Sequence, residues 1–320
     1  MKLSNLKLSK EWILVVVLAV LFIFMSIFAP GFTDSYNLTN MLFQIPELGI
    51  LSLGMMAVII TAGIDLSITY LAALIGVIIA TCLTSGMPIG LSIIIGVITA
   101  LAGGLINGFF VAYIGVSPIL VTLGTMTFFK GVVTLITKGN SISGFPEVYG
   151  AIGNNAILGI PLPLILFGAV ALIAWYLLNK TVWGRNVYMT GNNPIATMFS
   201  GINTKRVLIY VYLFSALMAA VAAIIMTSRY NSAKVDLGSS YLMQSLAVAV
   251  LGGANISGGY GKVIGIVLAT AIFQVLSSGL NLIGISSMII NILIGVVLLS
   301  VLMINFFSSK WESVGKQKTI

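Results

Sequence analysis

Histidine is absent from this 320-residue chain, cysteine occurs once, and charged residues make up only 7%. Each shortage excludes something. Without histidine, and with a single thiol, the usual zinc, haem and iron–sulfur ligand sets cannot be assembled, so no metal site is expected. A histidine-dependent catalytic triad is equally impossible, and Cys82 has no partner for an internal disulfide. The scarcity of charge is the most restrictive. A soluble domain is roughly 25% charged because it must cover its core with polar surface. Here 15 Lys+Arg and 7 Asp+Glu accompany a chain that is 59% apolar, which describes an integral membrane protein. A net charge of +8 would suggest nucleic acid in a soluble protein. These cations fall in short segments between apolar runs, so they orient the chain in a lipid bilayer and no nucleic acid is expected.

The apolar runs are continuous rather than alternating, which argues against a β-barrel. A helix needs about 20 residues to cross roughly 30 Å of hydrocarbon. Ten such spans fit, at 12–30, 45–62, 68–84, 89–112, 118–137, 160–178, 207–227, 241–253, 263–281 and 287–307. The expected fold is all-α: one polytopic transmembrane domain over residues 1–320, of about ten helices. The second span carries Pro46 and Glu47 near its start, and the eighth is short or broken, ending in Gly252-Gly253.

With ten spans both termini share a face, and that face collects Lys2, Lys7, Lys10, Lys180, Arg185, Lys205, Arg206, Lys262, Lys310, Lys316 and Lys318. The other face holds Lys138, Arg229 and Lys234, while Lys130 lies within the fifth span and is expected to reach toward the outer surface. Eleven cations against three place both termini in the cytoplasm. The Lys-rich start resembles a signal peptide, but the run continues through Phe28 without a small-x-small cleavage site, so an uncleaved span is expected.

Residues 138–159 then lie outside and residues 179–206 inside. Within the inner segment a short helix is expected from Pro194 to Ser200, with Asn193 as N-cap, Pro194 in the first helical position and Gly201 at the C-terminal cap. An internal repeat also shows. Residues 57–81 align with 247–270, pairing Gly63 with Gly253, Asp65 with Asn255, Ser67 with Ser257 and Tyr70 with Tyr260. Transporters are often built from such repeats.

An acid near membrane depth is a functional candidate, so Asp65 stands out; capping the third span would use the same carboxylate. Asn107, Thr122, Thr125, Gln244, Gln274 and Asn281 are uncharged polar residues inside apolar spans. They suit a neutral, hydroxyl-rich solute, and bonding between helices would use them equally well. The glycine-rich stretch ending in Gly261-Lys262 is not a phosphate loop, because Ile256 and Val263 occupy positions that need Gly and Ser or Thr. Asn255 and Ser257 therefore mark irregular backbone between two helix ends. Gly104-x-x-x-Gly108 and Gly261-x-x-x-Gly265 read as close helix packing.

Four ordered motifs resemble the permease subunits of bacterial ATP-binding cassette importers of the ribose type, a group within the branched-chain amino acid/ribose permease superfamily that includes autoinducer-2 importers. They are Gly63-Ile64-Asp65-Leu66-Ser67, then Asn107-Gly108 with Thr122-Leu123-Gly124-Thr125, then Gly191-Asn192-Asn193-Pro194 through Ala196 to Ser200-Gly201-Ile202, and Leu251-Gly252-Gly253 to Ser257-Gly258-Gly259. The likeness spans roughly residues 40–300, with Ala62 where the family usually has Gly and Thr197-Met198-Phe199 near a usual Ala pair. The resemblance implies a sugar-transport pore in the bacterial inner membrane, with no catalytic residue and no cofactor in this chain. ATP and Mg would sit on a separate ATPase subunit. A second permease chain, identical or homologous, and an extracytoplasmic sugar-binding protein would complete the importer. Segment 179–206 would couple to the ATPase through Gly191, Asn193, Pro194, Ala196, Met198, Phe199, Ser200, Gly201 and Ile202. Asp65, Ser67, Asn107, Thr122, Thr125, Gln244, Asn255, Ser257, Gln274 and Asn281 are the candidates for the translocation pathway or for helix breaks. The expected solute is a monosaccharide such as a ribose-like pentose, with the autoinducer-2 furanose as the alternative; Ser232-Ala233 with Asp236-Leu237-Gly238 is reminiscent of the latter group. An ion-driven secondary transporter would need ionisable groups in its spans, where only Asp65, Glu47 and Lys130 come near. A membrane enzyme would need a clustered catalytic set.

Overall fold

The computed structural model describes residues 10–286, 288–296, 299 and 303. Its helices are α1 (Lys10–Phe28), α2 (Ser35–Ile60), α3 (Ile68–Thr84), α4 (Ile89–Phe109), α5 (Pro118–Thr137), α6 (Glu147–Asn154), α7 (Leu162–Lys180), α8 (Val182–Asn192), α9 (Pro194–Phe199), α10 (Thr204–Tyr230), α11 (Tyr241–Leu251) and α12 (Val263–Leu282). A π-turn over Phe110–Ile114 prolongs α4, and residues 288–296 are helical again. Extended structure among the described residues is confined to two antiparallel ribbons: β1 (Ile142–Ser143) with β4 (Ser232–Ala233), and β2 (Ala156–Ile157) with β3 (Ile160–Pro161). The protein is all-α and polytopic.

Among the described residues seven helices are long and apolar enough to cross a membrane: α1, α2, α4 with its π-turn, α5, α7, α10 and α12. Two further expected spans are shorter, α3 with 17 residues and α11 with 11. At about 1.5 Å per residue α11 reaches roughly 17 Å, half of a hydrocarbon core. The tenth expected span is helical at 288–296 and otherwise falls largely outside the described residues. The second span begins ten residues before its expected start, at Ser35 rather than residue 45, and carries Pro46 inside the helix. Its 26 residues make about 39 Å of helix, so the polar first turns overhang the hydrocarbon, and a count of apolar residues misses them.

Helix α2 forms the centre, buried almost continuously from Pro46 to Ile60. Helices α7, α10, α11 and α12 pack around it, with α3 and α4 against each other and against α10, and α1 against α12. Apolar side chains such as Phe28, Ile98, Leu120 and Leu172 on α1, α4, α5 and α7 point outward, as a lipid-facing sleeve requires. The spacing at Gly104 and Gly108 does serve close packing: a Cβ at either would stand 2.8 Å from the Tyr212 carbonyl oxygen or 3.0 Å from Ile209 Cα on α10. Gly261 and Gly265 do not form one such interface, since Gly261 faces Ile60 and Gly265 backs onto Gly252.

One end of the bundle gathers the segments 61–67, 181–203 and 252–262, where Gly259 N donates to Ile60 O at 2.8 Å. Lys262 Nζ lies 2.6 Å from Glu11 Oε1, bringing the start of α1 to this end. The opposite end carries β1, β4 and α6. Toward that end Glu47 is fully buried in α2. It is satisfied by Arg229 Nη1 at 2.8 Å and by the hydroxyls of Tyr230 and Tyr241, each at 2.7 Å. A buried carboxylate demands such partners, and these three bolt α2 to α10 and α11.

Candidate coupling junction and polar pathway

Helix α9 is short, and local chemistry defines it. Asn193 Oδ1 accepts from Ala196 N at 2.9 Å, Pro194 takes the first position, and Gly201 has φ +81° just past the end, where a side chain would be strained. Thr197 turns inward, while Phe199 is 83% exposed beside half-exposed Ile195 and Met198. Ser200 Oγ bonds Ala196 O at 2.9 Å, and Ile202 packs against the core. Six residues of helix do not persist alone in water. This one is held by its caps and by α8, an element the sequence reading did not resolve within 179–206. Thr181 caps α8 by accepting from Gly184 N at 3.1 Å.

Helix α8 ends in a close three-way contact. Gly191 lies against the Ile60 carbonyl, where a Cβ would have no room, and Gly258 faces both the Gly191 carbonyl and Ala62. Tyr188 Oη donates to Gly261 O at 2.7 Å. The segment carrying α9 is thus wedged between the two loops of the internal repeat. Those loops share a turn: Asp65 Oδ1 accepts from Ser67 N at 3.0 Å, and Asn255 Oδ1 accepts from Ser257 N at 3.0 Å. The match slips by one residue at the helix ends, because the left-handed residue is Ala62 (φ +61°) in the first copy and Gly253 (φ +92°) in the second.

The two turns differ in surroundings. Asp65 is buried and also accepts from Ser67 Oγ at 2.7 Å and from Ser215 Oγ on α10 at 2.8 Å. Asn107 Nδ2 donates to Ser67 Oγ at 2.8 Å, Thr125 Oγ1 to Asn107 Oδ1 at 2.7 Å, and Thr122 Oγ1 to Ile64 O at 2.9 Å. Four candidates are therefore spent on one another and Thr122 on the loop backbone, tying the 61–67 loop to α4, α5 and α10. Burial raises the Asp65 carboxyl above its ordinary range, although its serine donors pull the other way. The Tyr212 hydroxyl is buried near this chain with no hydrogen-bond partner among the described residues. Asn255 and Ser257 are exposed beside α8, so they mark the helix break.

Gln244, Gln274 and Asn281 converge elsewhere, lining a cavity of about 180 Å³ with Gln44. Lys130 is exposed on α5, with its Nζ 5.7 Å from the Tyr70 ring centroid. The sequence reading missed Ser215, Gln44 and the Glu47–Arg229 pair. Only the last had a signal, since an acid inside an apolar run requires a partner.

A family profile described as the permease component of branched-chain amino acid transport systems matches residues 37–302. The chain is 38% identical over 284 residues to the ribose import permease protein RbsC of Bacillus subtilis (strain 168), covering 88% of each. Against the protein of the same name from Haemophilus influenzae it is 37% identical, over 92% of this chain and 93% of that one. Against the autoinducer 2 import system permease protein LsrD of Yersinia enterocolitica it is 35% identical, over 79% and 78%. No solved structure matches the chain.

Proposed function

The chain belongs to the permease-component family of branched-chain amino acid transport systems, and from that premise we propose that it is the membrane-spanning subunit of an ATP-driven importer of a monosaccharide. The observation that carries the reading is α9, a capped helix offering Phe199 to solvent while its own segment is wedged between both repeat loops. An exposed phenylalanine on so short a helix is suited to burial in a partner groove. That partner is an ATPase subunit, which supplies ATP and Mg, and the α9 end faces the cytoplasm of a bacterial inner membrane. A binding protein delivers the sugar at the β1 end.

A second permease chain, identical or homologous, packs beside this one. Support comes from α5, which leaves Gly124, Thr127, Gly131 and Thr134 exposed along one side together with Lys130. A polar stripe on a spanning helix belongs against protein or water rather than lipid. A ribose-like pentose is the favoured solute, because the ribose relatives match more of the chain than the autoinducer-2 relative does. Ion-driven transport has less support, since Glu47, the buried acid of the spans, is already held by Arg229, Tyr230 and Tyr241.

The test is affinity purification of the chain expressed with its candidate ATPase, followed by uptake of radiolabelled D-ribose with wild-type or hydrolysis-dead ATPase. Co-purification and loss of uptake with the dead ATPase are expected. Uptake that persists without ATP hydrolysis would establish an ion-driven carrier instead.

A further inference from the structure

We propose that the cavity between α2, α11, α12 and the helical residues 288–296 is a resting site for the solute during passage, built for a neutral ring bearing several hydroxyls; the inference rests on the import reading above. Seven of its lining side chains are amides or aliphatic hydroxyls: Gln44, Ser240, Gln244, Gln274, Ser277, Asn281 and Asn291. They come from elements far apart in sequence and meet only in the fold.

Polar residues inside spans ordinarily hold helices together by bonding one another. The Asp65–Ser67–Asn107–Thr125 chain does so, with every step between 2.7 and 2.8 Å. The cavity is different. Gln274 Nε2 donates to Gln44 Oε1 at 3.0 Å, but the side chains of Gln244, Ser277, Asn281 and Asn291 make no hydrogen bond among the described residues. Four open polar groups in one small space are a preformed set of partners. Each amide offers both a donor and an acceptor, which is what a hydroxyl needs on leaving water.

Charge and size narrow the ligand. Among the described residues no ionisable side chain other than Tyr241 lines the cavity, and its hydroxyl is already bonded to Glu47 at 2.7 Å. A charged solute would find no counter-ion there. A volume of 180 Å³ equals about six waters of liquid, the scale of one sugar ring rather than a chain of them. Access comes from the β1 end. Ser240 and Tyr241 also line a wider cavity of about 670 Å³ that includes Ser141, Ser232 and Lys234. Helix α11 begins only at Tyr241, so Ser240 and Tyr241 at its start are shared by the two cavities.

The experiment uses the full importer, the chain with its ATPase and binding protein, and measures uptake of radiolabelled D-ribose and of autoinducer 2. Gln244→Leu and Asn281→Leu are compared with wild type for membrane abundance, ATPase recovery and uptake. Abundance and recovery are expected to hold while uptake falls roughly fivefold to tenfold, the scale of one lost hydrogen bond. Gln244→Asn should restore part of the rate. If Gln244→Leu fails to insert, Asn281→Leu at the exposed mouth decides alone. Normal uptake by Asn281→Leu together with any inserted Gln244→Leu overturns the resting site and leaves the import reading intact. No uptake of either solute by wild type overturns the import reading and this inference with it.

Discussion

Asp65 shows how a buried acid can serve the fold by the company it keeps. Its two oxygens take three bonds from Ser67 and Ser215, and burial has already raised its carboxyl toward the neutral form. Asparagine keeps one acceptor, and Ser215 can turn its hydroxyl to accept from the new amide. Asp65→Asn should therefore retain most folded protein and uptake. Asp65→Leu strands the same donors at about 1–3 kcal/mol each, and should lose assembly in the membrane. Normal abundance and uptake of Asp65→Leu would remove the residue from both fold and pathway. Ala62 makes the opposite case, a residue that costs stability where it stands. With φ +61° it holds a conformation that costs an L-residue about 1–2 kcal/mol, partly offset by the greater chain entropy glycine would lose. Ala62→Gly is expected to raise stability by roughly 0.5–1 kcal/mol, read as a higher melting temperature in detergent. An unchanged or lower melting temperature would show that the methyl contact with the Gly258 region outweighs the strain.

Among the elements, α8 and α9 separate docking from transmission. Phe199 is presented to a partner, whereas Gly191 is pressed on the Ile60 carbonyl inside the protein. Full burial of a phenylalanine is worth about 1.5–3 kcal/mol, so Phe199→Asp should weaken ATPase recovery by roughly tenfold or more. Gly191→Ala should leave docking intact, force α8 away from the 61–67 loop, and lower uptake instead. Full ATPase recovery with Phe199→Asp would move the docking surface to the exposed 253–262 loop. Such elements were legible to different degrees, for physical reasons. Helix α9 announced itself because Asn193, Pro194 and Gly201 act locally, each within a turn of the residues it fixes. The repeat was legible through Asp65 and Asn255, whose turns are also local. Helix α8 escaped notice because Val182–Asn192 is polar and glycine-containing, and its helicity depends on packing against α7 and α10. The Glu47–Arg229 pair and the amide cavity escaped for a further reason, since they join residues that only the folded bundle brings together.

At the scale of the whole molecule, contacts divide the loops between two faces, and the distribution of cations then orients the faces. The pairing of β1 with β4 puts residues 142–143 and 232–233 on one face. The contacts among Ile60, Gly191 and Gly259, and the Glu11–Lys262 pair, define the other. Among the described residues the second face carries Lys10, Lys180, Arg185, Lys205, Arg206 and Lys262, against Lys138, Arg229 and Lys234 near the first. All lie in short connections or close to helix ends, where lysine and arginine govern insertion, so the second face should be cytoplasmic. Ser143 and Ser200 are exposed on opposite sides of a single crossing, α7, and make a matched pair of reporters. After replacement of Cys82, Ser143→Cys should react with an impermeant maleimide in intact cells, while Ser200→Cys should react only after the membrane is opened. The reverse pattern would invert the molecule. It would also take α9 away from cytoplasmic ATP, so a labelling experiment that never measures transport can overturn the coupling assignment by itself.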